Sequence, residues 1–237
     1  MFLTTYKTNY KAKEQHLSLT MAVTRINIKG GARLEKAIIL NNKAVQNLET
    51  KNYNTSIQLL RRAITICQIT NNDEPQTTEP VSFFQWSSRI GSLEKEGRGC
   101  FVFNRGVFIR SMATSTEIVK AVILYNTALV YHMFAKLDQN CDQHLQRAKL
   151  LYALSARILK KEQSQRLQLF HMAIMNNLSQ VSYDMVDYQT SKKCLDQLQQ
   201  NILHLHRTKK RTGFCPRDLM AMHFNTLVDV PMTAPCA

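Results

Sequence analysis

The chain has 237 residues, a formal net charge of +14 and 44% hydrophobic residues, which suits one domain with a substantial core, and no apolar run in it reaches the roughly 18 residues that a membrane-spanning helix needs. Six Cys without a C-x-x-C pair point to a reducing, intracellular compartment. Only seven Gly leave few tight ligand-cradling loops, and the sequence contains no phosphate-binding Gly-rich motif, G-x-S-x-G or His-Glu-x-x-His, so nothing supports an enzyme, a bound cofactor or a metal site.

Residues 1–33 are polar and basic, with Glu14 their one acid, and end in Gly30-Gly31. They are expected to form a disordered N-terminal segment. An organelle transit peptide is the alternative, and Met21 as the working start would remove that question. A cytoplasmic or nuclear location is preferred to an organellar one.

A helical-hairpin pattern then occurs three times, beginning at Leu40, around Asn126 and at Ile174. In the first copy Asn42 precedes Ala44 by two, and Tyr53, Ser56, Leu60 and Ala63 follow. The third copy keeps the ruler with Asn177, Ser179, Tyr188, Ser191, Leu195 and Leu198. Steps of three and four put such residues on one helical face, where small side chains admit a neighbouring helix. Each copy therefore reads as two antiparallel helices, with Lys51-Asn52 and Val186-Asp187 at the turns. The middle copy has Asn126, Ala128 and Tyr131 in its first helix and Ala148, Tyr152 and Ser155 in its second. That spacing is about eight residues longer, placed as a loop near Leu137 to Asp142. Cys67 and Cys194, carried on helices, read as small buried apolar residues.

Between the first two copies, residues 70–117 form an insertion. Pro75 and Pro80 mark a surface loop over 70–92, and Cys100 opens the β-rich run CFVFNRGVFIR. That run is either a small hairpin turning at Asn104-Arg105-Gly106 or a single strand, and Met222 to Val230 is the candidate strand to pair with it.

The three copies resemble the tetratricopeptide repeat (TPR) family over Leu40 to Gln68 and Ala173 to Leu203, and partly over Val122 to Leu159. The family's small residue, turn Tyr and small–large alternation are all present. Departures are Lys43 and Thr127 at usually apolar positions, no Pro closing a repeat, and copies starting 84 and 51 residues apart. The resemblance implies an all-α, TPR-like α-solenoid of about three helical hairpins over residues 34–206; the residues themselves add a small β element from 100–110, with the C-terminal segment as its candidate second strand, and a basic linker and tail over 207–237.

It also implies a site. Asn42, Asn126 and Asn177 precede the small residue by two in all three copies, and an amide offers both a donor and an acceptor to an extended peptide's main chain. In the family the matching Asn often faces the concave surface and does this; the bland alternative is local bonding between neighbouring helices. Asn41, Leu48, Tyr125, Leu129, His132, Asn176, Gln180 and Tyr183 would share that surface. The Lys and Arg of a carboxylate clamp have no counterpart, since Asn41, Val45, Tyr125 and Leu129 stand there.

The expected function is therefore a non-enzymatic scaffold or adaptor that binds a peptide or partner helix, with affinity of about micromolar for so short a groove. A nucleic-acid-associated protein using its basic ends for phosphate contacts is the alternative. Residues 1–34 carry +5 and residues 207–237 carry +3, and RTKKR at 207–211 reads either as a polyanion or nuclear signal or as a basic helix end. Homodimerisation through exposed first-helix surface is also open. His204 and His206 point to different faces of a helix and make a poor metal pair.

Overall fold

The steps of three and four appear as buried stripes in a computed structural model, which describes residues 31–69, 84–88, 102–110, 115–137, 141–160, 165–208 and 216–227. Readings that fall on 1–30, most of the 70–92 loop, Lys209 to Arg211 and the tail beyond 227 lie outside these residues. The elements are α1 (residues 31–49), α2 (Tyr53–Ile69), β1 (Phe84–Trp86), β2 (Val107–Ile109), α3 (Thr116–Ala135), α4 (Cys141–Leu159), α5 (Gln165–Asp184), α6 (Tyr188–Thr208) and α7 (Pro216–Thr226). The structure is thus mostly helical, with one small two-stranded sheet. Helix α1 already includes residues 31–33, which the sequence reading places in the N-terminal segment.

Helix α1 buries Ala37, Asn41, Ala44 and Leu48, and α2 answers with Ser56, Leu60, Ala63 and Cys67. The small residues let the helices close up: Ser56 Oγ donates to Ala44 O at 2.9 Å, and Ser155 Oγ to Ala121 O at 2.8 Å. Ser179 and Ser191 bring their hydroxyls to 3.4 Å across α5 and α6. Consecutive helices pack on one another from α2 through α7.

The turns of the first and third pairs are built alike. Lys51 (φ 60°) and Val186 (φ 61°) are left-handed residues ending α1 and α5. Lys51 N–H donates to Leu48 O at 3.0 Å and Asn52 N–H to Asn47 O at 2.8 Å. Val186 N–H donates to Tyr183 O at 2.9 Å and Asp187 N–H to Ser182 O at 2.8 Å. These bonds satisfy the last helical carbonyls as a Schellman motif does. Asn52 and Asp187 then cap the next helix through the N–H groups of Thr55 and Thr190.

In the middle pair the extra residues are mainly helical, which corrects the expected long loop. Ala148 is the eighth residue of α4, whereas Ser56 and Ser191 are the fourth of α2 and α6. Helix α3 is buried almost all round, from Val119 to Met133. By length and composition alone it is apolar enough to cross a membrane, contrary to the reading above, but 72% of its apolar window is buried inside the protein. A core helix flanked by α2 and α4 has the same character.

Of the two sequence alternatives the β element follows the single strand, but with a different partner from the one expected. Residues 102–106 do not fold back on 107–109; β2 pairs antiparallel with β1, in the register Phe84 with Ile109, Gln85 with Phe108 and Trp86 with Val107. Phe-Gln-Trp is a three-residue strand inside a polar, Pro-marked stretch, too short for its alternation to stand out. The Met222 to Val230 stretch supplies no strand among the described residues, because Pro216 and Asp218 start a helix there. Asp218, Met222 and Asn225 form the buried face of α7.

Candidate functional site

Three Asn residues on α1, α3 and α5 hold one extended piece of the chain's own backbone. Asn177 Oδ1 accepts from Phe103 N–H at 2.8 Å and its Nδ2 donates to Phe103 O at 3.0 Å. Asn126 does the same to Val107, at 2.8 and 2.9 Å. Asn42 does so to Ile109, at 2.9 and 2.8 Å. Each amide thus takes up both main-chain groups of one residue. In an extended strand these point to the same edge, and residues 103, 107 and 109 share that edge because they are an even number apart.

The other edge of the segment meets β1. Gly106 N–H donates to Ser87 Oγ at 2.8 Å, and Ser87 N–H donates to Gly106 O at 2.8 Å. Since Val107 and Ile109 spend their main-chain groups on Asn126 and Asn42, the antiparallel pairing to β1 runs through Phe108 and Gln85. The segment therefore lies between a true strand and a row of side-chain amides that replaces one.

Neighbouring side chains complete the grip. Asn41 Nδ2 donates to Val107 O at 3.0 Å, and its Oδ1 accepts from Asn126 Nδ2 at 2.8 Å. Tyr125, at the position in α3 that Asn41 holds in α1, donates from its hydroxyl to Arg105 O at 2.9 Å. Burial and the neighbouring Tyr152 hydroxyl raise the Tyr125 pKa well above its usual value, against a smaller opposing effect of Asn177, so it stays a donor. Asn177 also donates to Tyr152 Oη at 3.1 Å.

Apolar contacts supply most of the stabilisation. Phe103, Val107 and Ile109 are buried, and such side chains contribute about 1.5–3 kcal/mol each when removed from water. Phe103 packs edge-on to Trp86 with ring centroids 4.8 Å apart, and Trp86 in turn lies 6.1 Å from Phe170. Gly106 fits close against α1: a Cβ there would lie 2.9 Å from Val45 Cγ1 and 3.3 Å from Cγ2. Between Phe103 and Gly106, Arg105 Nε stands 3.2 Å from Asp218 Oδ2, a carboxylate almost wholly buried in α7.

The remaining expected surface residues separate. Asn176 is turned to α7, accepting from Asn225 Nδ2 at 2.7 Å, and also donates to Asn177. Leu48 and Leu129 are core residues. His132 is fully buried with its ring edge-on to Tyr152, and neither ring nitrogen has a hydrogen-bond partner among the described residues. Gln180 bonds to Asp184 within its own helix, and Tyr183 packs on Tyr188 across the turn, so neither bonds to the segment. Sequence reasoning missed Trp86, Arg105, Gly106, Asp218 and Asn225. The lone Trp, and a Gly inside a β-rich run in a Gly-poor chain, were the signals available.

Among the described residues no cluster of three or more His, Cys, Asp or Glu can hold a metal ion. No protein-family model, curated protein or solved structure matches the chain.

Proposed function

We propose that this chain is a non-enzymatic protein-interaction module, a TPR-like α-solenoid of helical hairpins, whose α1, α3 and α5 face takes an extended peptide main chain. In this reading residues 102–110 occupy the site in cis. The observation that carries it is the repetition of one contact: Asn42, Asn126 and Asn177 each receive an N–H from, and donate to a C=O of, a single residue of an extended segment. Such a contact recognises backbone and not side chains, so it suits a segment from another chain as well as this one. Consecutive packing from α2 to α7 supports the solenoid reading, and α7 on α6 suits a terminal cap.

Native-state hydrogen exchange on the intact chain tests the proposal. A site whose occupant gives way to a partner opens locally, so the amides of Phe103, Val107 and Ile109 should exchange at a lower opening free energy than the buried amides of α3. If they exchange only with global unfolding, the segment is permanent core and the proposal fails.

A further inference from the structure

The side chains of the held segment specify which peptide this face accepts, given the peptide-site reading on which this rests. We infer that the partner is an extended segment of the pattern apolar-x-Arg-Gly-apolar-x-apolar, running from α5 towards α1, of which residues 103–109 are the chain's own copy. The direction follows from the order of the contacts, with Asn177 on residue 103, Asn126 on 107 and Asn42 on 109.

Three features set the pattern. Phe103, Val107 and Ile109 are at most 2% exposed, so a replacement must bring equal apolar burial or leave a cavity. A side chain at the position of Gly106 would crowd Val45, whose Cγ1 and Cγ2 stand 2.9 and 3.3 Å from where its Cβ would lie, with Leu48 Cδ2 in contact at 3.5 Å. Arg105 faces the buried Asp218 carboxylate, so an acidic residue there would set two carboxylates together. Gly and Arg act largely by exclusion, which is how a site that grips only backbone acquires selectivity.

The cis copy also sets the conditions for binding. A tethered competitor acts at an effective concentration on the order of millimolar, so a free peptide of equal quality binds the intact chain weakly. A partner needs a better match, or a weakened cis copy.

The test uses the full chain carrying Gly106→Val, whose new side chain meets Val45 and Leu48 and lifts its own segment. The probe is a fluorescent peptide of residues 101–110, FVFNRGVFIR. The variant should bind it at least about tenfold more tightly than the wild-type chain does, because the tethered competitor is weakened. The same peptide carrying Gly106→Val or Arg105→Glu should lose at least about tenfold. Equal binding of all three peptides overturns the pattern and leaves the peptide-site reading standing. A folded, monomeric variant that binds none of them overturns both. A variant that excludes the peptides but forms dimers assigns the face to a second copy of this chain and overturns the inference. Should Gly106→Val fail to fold, Arg105→Glu in the full chain takes its place with the same peptides and the same outcomes.

Discussion

Asn126 and Val107 exchange two hydrogen bonds, N–H to Oδ1 at 2.8 Å and Nδ2 to C=O at 2.9 Å, with Asn126 fully buried. The pair does the work of one rung of a sheet with a side chain in place of a strand. Removing the amide therefore strands the buried Val107 N–H and the Asn41 Oδ1 that it also serves, while Val107 O keeps its bond from Asn41 Nδ2.

Asn126→Ala should destabilise the protein by about 2–4 kcal/mol, since each buried polar group left unpaired costs about 1–3 kcal/mol. Asn42, which is only half-buried, should cost less, about 1–2 kcal/mol, because water can replace part of its contact. Urea unfolding of the two variants beside wild type measures both, and equal losses would contradict the burial argument.

Gly106→Ala places a methyl group 2.9 Å from Val45 Cγ1. Overpacking of this kind costs about 1–3 kcal/mol. Val45→Ala opens the space, so the double variant should be more stable than the sum of the single losses predicts. A thermodynamic cycle that finds simple additivity would remove Val45 as the cause.

Val186 ends α5 at φ 61° and is 52% exposed. A β-branched residue pays for the left-handed conformation, whereas Gly adopts it freely. Val186→Gly should therefore raise stability by about 1 kcal/mol, and Lys51→Gly at φ 60° should act in the same direction. Thermal melts of the two variants, singly and combined, check this; a lowered midpoint would show that contacts of the native side chains outweigh the strain.

His132 has its pKa pushed down from 6.5 to about 3, chiefly by burial and secondarily by the Lys136 charge. The unfolded chain takes up the proton near pH 6.5 and the folded one only near 3. Stability from this residue is thus fully present above pH 6.5 and falls by up to about 1.4 kcal/mol per pH unit as the pH drops through that window. His171 shifts in the same direction, through burial and then the Lys160 charge, so the informative quantity is wild type minus His132→Leu. Leu is the residue at the matching position in α1, Leu48. The difference should be level above pH 6.5 and decline below it; a level difference down to pH 4 would show that His132 is protonated in the fold.

The helices were legible because their determinants are local and periodic. Asn42, Ala44, Tyr53 and Ser56 lie on a ruler that Asn177, Ser179, Tyr188 and Ser191 repeat, and helix periodicity is written into neighbouring residues. The β character of 107–109 was legible for a similar reason, in its branched and aromatic residues. The pairing of β2 with Phe84–Trp86 was not, since three residues carry too little alternation to announce a strand. Nor was α7, whose β-leaning residues were overridden by the helix start at Pro216 and by one buried face.

By itself the sequence determined where the paired helices lie and that three Asn recur in register, but not α7 or the burial of the face that carries Asn41, Tyr125 and His132. Only the tertiary structure decided what those Asn hold. The bonds join residues 66 to 74 positions apart for α1 and α5, and no local rule encodes such a distance. What selects the occupant is the combined burial of Phe103, Val107 and Ile109, the space left at Gly106 and the carboxylate offered by Asp218. Those conditions arise only once α1, α3, α5 and α7 stand together.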